Sequence, residues 1–116
     1  MHNFKDLIVW KKARILVTEI YKISNLLPDA EKFGLKSQMQ RAAVSIPANI
    51  AEGCGRKTNT ELSRFLDISN GSSFELETLL TLCIDLKFVQ DKDCDIALNL
   101  NGEVQRMIRS LKQKLN

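Results

Sequence analysis

The chain has a single histidine, two prolines and five glycines in 116 residues. His2 stands beside the N-terminus, so a metal site built from Glu-x-x-His pairs on facing helices has no donors. A serine or cysteine nucleophile likewise has no imidazole beside it inside the fold. That leaves lysine or a carboxylate as the only base on offer. The expected protein is not an enzyme, has no catalytic residues, and holds neither a metal nor a cofactor. The three cysteines, Cys54, Cys83 and Cys94, are odd in number and lie at no metal-ligand spacing. Free thiols in a reducing cytoplasm account for them most simply. No run of about 18 apolar residues exists, so no membrane span is expected. The opening MHNFKDLIVWKKAR has no apolar stretch of the kind a secretory signal needs. Strand alternation, internal repeats and low-complexity tracts are missing as well.

What is present is helical periodicity over one domain, residues 1–116. The first helix is expected over about residues 6–26, where Leu7, Trp10, Ala13, Val17, Ile20 and Ile23 recur every three or four positions. Asp6 suits its N-terminal dipole, and Pro28 and Asp29 turn the chain after it. A second helix is expected over 35–54, with Gly53 and Gly55 as C-terminal caps. The third, over 59–86, opens on Thr58 followed by Glu61, a capping box. Its apolar positions are Leu62, Phe65, Leu66, Leu76, Leu79, Leu80, Cys83 and Ile84. The fourth, over 93–114, buries Leu100, Val104, Ile108, Leu111 and Leu115. Short links between helices of this length make an all-α, antiparallel up-down-up-down four-helix bundle.

The segment Gly34 to Arg56, GLKSQMQRAAVSIPANIAEGCGR, departs from a generic amphipathic helix. Pro47 falls inside it, where a proline costs about 3 kcal/mol. Ala42, Ala43, Ser45, Ala48 and Ala51 allow close approach of another helix. Gly71, in the small polar run Ser69-Asn70-Gly71-Ser72-Ser73, reads as the matching surface on the third helix. Arg41, Ser45, Asn49, Glu52 and Arg56 share one stripe. They read either as a phosphate or partner site, or as a structural polar network tied to Glu75 or Glu77 on the third helix. Gly53-Cys54-Gly55-Arg56-Lys57 resembles a glycine-rich anion loop before a helix, but no strand precedes it and capping explains both glycines.

Charge is unevenly distributed along the chain. Residues 1–57 hold ten Lys/Arg and five Asp/Glu, residues 58–95 three and eight, and residues 96–116 four and one. The third helix is therefore acidic between basic neighbours. Such a pattern serves attraction within a bundle or between subunits, or leaves a basic surface for a polyanion. Lys11, Arg14 and Lys22 cluster around the first helix, with Lys5 and Lys12 on an adjacent line. Arg106, Arg109 and Lys112 do the same on the fourth. Lys11, Lys12, Arg14, Arg106 and Arg109 are the candidate nucleic-acid contacts, made to backbone phosphate. The seven aromatic residues do not interleave with these cations, so base-specific readout is not expected. Phe4, Trp10 and Tyr21 suit either the core or a subunit interface.

The blocks RAAVSIPANIAEG (Arg41 to Gly53) and Gly55-Arg56 carry a resemblance. So do FKDLIVWKKA (Phe4 to Ala13) and ELSRFLDISNGSSFELET (Glu61 to Thr78). Together they resemble the bacterial four-helix-bundle family named for open reading frames inside 23S rRNA intervening sequences. The resemblance covers about residues 4 to 88, with the last helix matched by pattern. Proteins of related fold, including accessory proteins of diversity-generating retroelements, look like basic, ring-shaped homopentamers that associate with nucleic acid and a reverse transcriptase. The resemblance therefore implies a non-enzymatic homo-oligomer, a pentamer, with RNA or DNA, and a reverse transcriptase or other protein, as partners. The alternative is a protein–protein interaction scaffold with no nucleic-acid role.

Overall fold

The computed structural model describes residues 3–115. A 3₁₀ turn at Phe4–Asp6 precedes α1 (Ile8–Ser24), and a second at Asp29–Glu31 precedes α2 (Leu35–Cys54). α3 (Asn59–Asp85) and α4 (Asp91–Leu115) complete the chain. His2 lies outside the described residues.

The helix ends follow from local hydrogen bonding. Leu7 is extended (φ −72°, ψ 126°), so α1 starts two residues after Asp6 and that carboxylate sits in the 3₁₀ turn instead of the first turn of α1. At the other end, Leu26 N donates to Ile23 O at 2.9 Å and Leu27 N to Ser24 O at 3.2 Å, tightening the chain into a turn that buries Leu27. Glu31 Oε1 accepts from Leu35 N at 3.1 Å and caps α2. Thr58 Oγ1 accepts from Glu61 N at 3.1 Å, as the capping box requires. Asp93 Oδ2 accepts from Gln90 N at 2.8 Å, which explains why α4 begins at Asp91, ahead of Asp93.

Helices adjacent in sequence pack together, α4 closes back onto α1, and the backbones of the diagonal pairs α1/α3 and α2/α4 stay farther apart. Each neighbour runs antiparallel to the next. Residues 46 and 53 of α2 meet 69 and 62 of α3; residues 67 and 77 of α3 meet 112 and 105 of α4; residue 12 of α1 meets 103 of α4. The result is a rod of 43 × 24 × 20 Å. Its axis is filled by Leu16 and Ile20, Met39, Ile46 and Ile50, Leu62, Leu66, Leu76 and Leu80, and Val104 and Ile108. Ile84, Leu100, Leu111 and Leu115 pack on the flank of that core, only half-buried, and Phe65 is half-buried as well. No helix among the described residues is long and apolar enough to cross a membrane.

α2 and α3 make the most extensive contact in the bundle. An amide is missing at Pro47, so the carbonyl of Ala43 loses its donor one turn on. Around that point α3 lends hydroxyls. Ser69 Oγ donates to Ile46 O at 2.9 Å, and Ser72 Oγ pairs with Ser45 Oγ at 2.8 Å. Asn49 Nδ2 donates to Ser45 O at 2.8 Å and to Ser45 Oγ at 2.9 Å. On the opposite flank of α3, buried Asn101 of α4 donates to Ser73 O at 2.9 Å. Its burial escapes the apolar periodicity that marks the rest of the core.

Gly55 is the C-cap of α2, as its position predicts, with its N–H donating to Ala51 O at 3.2 Å and Glu52 O at 3.1 Å, but in the right-handed conformation (φ −83°). The left-handed cap belongs to Lys87 (φ 63°), after α3. Phe88 N bonds to Cys83 O at 3.0 Å and Lys87 N to Ile84 O at 2.9 Å, a Schellman motif. Gly53 instead permits close approach. A Cβ there would lie 2.8 Å from Phe65 Cβ and 2.9 Å from Leu62 Cδ1. Gly71, expected against α2, points outward, and a Cβ on it would meet nothing within 4 Å. Its cost of about 1 kcal/mol relative to alanine has no counterpart inside the subunit.

All three cysteines are free and buried. Burial pushes each thiol up from 9.0, and Cys94, also facing Cys83, Asp93, Asp91 and Asp95, reaches about 11.

Two measurements follow. If the hydroxyls and small residues of α3 are fitted to the proline, Pro47→Ala gains well under the full propensity difference of about 3 kcal/mol, or loses stability. A urea melt reads the difference, and a gain near 3 kcal/mol shows that the fit is not needed. For Cys94, an unfolded thiol ionises above pH 9 while the folded one stays protonated to about pH 11. Ionisation in that window therefore favours unfolding. The urea midpoint should fall more steeply between pH 9 and 11 in wild type than in Cys94→Ala.

Candidate nucleic-acid interface

α1 and α4 lie side by side, which brings the two basic helices onto one side of the bundle. Their cations fare differently. Lys12 is half-buried and its Nζ lies 2.7 Å from Glu103 Oε2 across the helix contact. Its charge is paired at the helix contact, which sets it apart from the unpaired candidates. Lys112 is held in the same way by Asp67 of α3. Lys22 pairs with Glu19 on its own helix at 3.0 Å.

Lys11, Arg14, Arg106 and Arg109 are exposed and, among the described residues, have no carboxylate oxygen within 4.0 Å. Arg14 is positioned by stacking: its Cζ lies 4.9 Å from the centre of the Trp10 ring. Trp10 is itself fixed edge-on by Phe4, with ring centres 5.0 Å apart and an interplanar angle of 71°. These two aromatics thus serve as a support for a cation at the surface, in addition to packing on the core. Arg106 folds back along α4 over Gly102, where a Cβ would lie 3.3 Å from Nη1. The guanidinium borders an open groove of about 420 Å³ between the start of α1 and the end of α4, floored by Leu7, Ile8, Met107 and Leu111 and edged by Lys114. Arg109 follows Arg106 by three positions and so continues the same side of α4.

The polar stripe of α2 does not form the network its spacing suggests. Ser45 and Asn49 join the hydroxyl seam to α3, as described above. Glu52 and Arg56 pair only with each other, at 3.5 Å on the surface, and Arg56 Cζ sits 4.8 Å over the Phe65 ring. Arg41 and Glu75 are exposed, and neither has an ion-pair partner among the described residues. Glu77 turns to the other side of α3 and accepts from Gln105 Nε2 at 3.1 Å. The physical reason is the closeness of α2 to α3. Only short side chains fit between the two backbones, and long charged ones are left in solvent, where an ion pair gains little.

Arg41 edges a second groove of about 510 Å³ with Tyr21, Ser37, Gln40, Val44 and Ser45. Among the described residues no group of three His, Cys, Asp or Glu side chains converges as metal ligands. The thiols are held in the protonated form by burial, the reverse of what a thiolate nucleophile needs. What the exposed surface of α1 and α4 offers chemically is unpaired guanidinium and ammonium charge.

Similarity to known proteins fits this architecture. No protein of curated function matches the sequence. A crystal structure of a protein of unknown function from the S23 ribosomal protein family of Bacteroides thetaiotaomicron VPI-5482 superimposes with a TM-score of 0.83. The match covers 90% of this chain and 98% of that one at 23% sequence identity, so it speaks for the fold. The profile of the 23S rRNA-intervening sequence proteins matches residues 5–110, which takes in α1 to α3, most of α4 and both halves of the α2–α3 seam. The sequence blocks around Pro47 and this match agree, and the chain belongs to the 23S rRNA-intervening sequence protein family.

Proposed function

We propose that this protein is a non-enzymatic oligomer, a ring of five copies, that binds RNA or DNA through backbone phosphates. The observation that carries this reading is the pair Arg106 and Arg109 on the outer side of α4. Both are exposed and free of carboxylates among the described residues, while Lys12 and Lys112 are neutralised at helix contacts. Unpaired surface cations of this kind bind the phosphate backbone without regard to base sequence, and release counterions as they do so. One subunit offers few such contacts and binds weakly. Several copies in one assembly present the same face repeatedly and bind one strand more tightly.

A second reading, a protein–protein interaction scaffold, draws on the large apolar side chains left in solvent. Ile8, Ile15, Ile68, Phe74 and Leu82 are among them.

Fluorescence anisotropy with labelled single-stranded RNA between about 50 and 200 mM salt separates the two readings. Wild type should bind with a steep salt dependence and little preference among sequences. Arg106→Glu combined with Arg109→Glu should weaken every sequence alike. It should also flatten the slope of log affinity against log salt by about 1.4 or more per subunit, at roughly 0.7 for each phosphate left without its cation. The helical circular dichroism should not change, since both side chains lie on an exposed face. An assembled wild-type protein that binds nothing at the lowest salt rejects the nucleic-acid reading in favour of the scaffold.

A further inference from the structure

We infer that copies of this chain assemble head to tail, with the outward face of α1 in one copy seated against the outward face of α3 in the next. This rests on the oligomeric reading above and names the surfaces that build it. Ile8, Lys11, Ile15, Thr18 and Lys22 follow one another at intervals of three and four along α1, away from the core line of Val9, Ala13, Leu16 and Ile20. Ile8 is 60% exposed and Ile15 53%. Ile68, Gly71, Glu75, Thr78 and Leu82 repeat the pattern along α3, with Ile68 46% and Leu82 40% exposed. Ile8 and Ile15 stand one heptad apart and Ile68 and Leu82 two, the spacing of a helix-pair seam, with lysine, threonine and glutamate between them, and all four are left exposed within the subunit.

Gly71 is a second and independent sign. Nothing lies within 4 Å of the position its Cβ would take, and no turn or positive φ calls for glycine there. It leaves a hole in the middle of the α3 seam that a side chain of a facing helix can enter.

Charge selects the occupant. α1 carries four Lys/Arg against one Asp/Glu, whereas α3 carries one against five. A twofold contact of α1 with α1 brings together two faces of net positive charge, and a twofold α3 contact two of net negative charge. Both are repulsive. α1 against α3 joins opposite signs, and one chain supplies both faces. α1 and α3 lie on a diagonal of the bundle, so their outer faces point apart and can be engaged at once. A contact between two different faces propagates from copy to copy until the ring closes. Lys11 then belongs to the subunit contact, and the surface left for a polyanion narrows to α4.

Size exclusion with light scattering at about 10 to 100 μM tests the assignment. Wild type should give a single mass of at least three times 13.2 kDa. Lys11→Glu, Glu75→Lys and Gly71→Leu should each fall toward the monomer, with dissociation at least tenfold easier. The double variant Lys11→Glu with Glu75→Lys should recover the assembly. Gly71→Leu should keep its helical circular dichroism, because the position is open inside the subunit. If it does not fold, the charge exchange decides alone. An assembly that survives all three single changes, or a wild type that stops at a dimer, overturns the head-to-tail contact while leaving oligomerisation in place. A monomer at every concentration overturns both.

Discussion

Gly53 lets the last turn of α2 come so near α3 that a methyl group would collide with Leu62 and Phe65. Ala42 and Ala43 are buried along the same helix, and Ser69 and Ser73 along its partner. Where the two backbones come this close, small residues on one helix face the other, and hydroxyls link them around Pro47. Beside Pro47, side chains donate to carbonyls of the same turn, Ser69 to Ile46 O and Asn49 to Ser45 O. The proline, the glycine and the serines thus lie along one close helix contact.

The distribution of charge follows from that closeness. No long side chain fits in the α2–α3 seam, so Arg41, Glu52, Arg56 and Glu75 stay at the surface and form at most a weak pair. At the two contacts of α4 there is room, and a lysine crosses each: Lys12 to Glu103, and Lys112 to Asp67. These bridges withdraw two cations from the surface. The exposed cations on α4 that remain unpaired among the described residues, Arg106, Arg109 and Lys114, lie outside both bridges. Packing thus decides which basic residues are free, and counts of charge along the sequence do not.

The helices and most of the core were legible because apolar periodicity reports burial directly. Ala13, Ile20, Leu62, Leu66, Leu76, Val104 and Ile108 all lie where their spacing puts them. Leu16 and Val9 were missed, although they share the same buried face. Gly53 and Gly71 could not be told apart by sequence. Both sit among small residues, and only the direction each faces separates a required contact from open space. Nor could the sequence show that Lys12 meets a partner 91 positions away, since that pairing depends on the register of α1 against α4. The cap after α3 was hidden because a lysine occupies the left-handed position that glycine usually marks.

The closeness of α2 to α3 is tested most directly by adding one carbon at Gly53. Alanine is the better helix former by about 1 kcal/mol, so in an uncrowded helix Gly53→Ala stabilises. Here the new Cβ would lie 2.8 Å from Phe65 Cβ, and the two helices must move apart. A urea melt of Gly53→Ala should show a loss of about 1 to 3 kcal/mol, the usual cost of overpacking. The same change at Gly55, where a Cβ meets only carbonyl oxygens at 3.5 and 3.9 Å, should be nearly neutral. A Gly53→Ala protein as stable as wild type, or more so, would contradict the account.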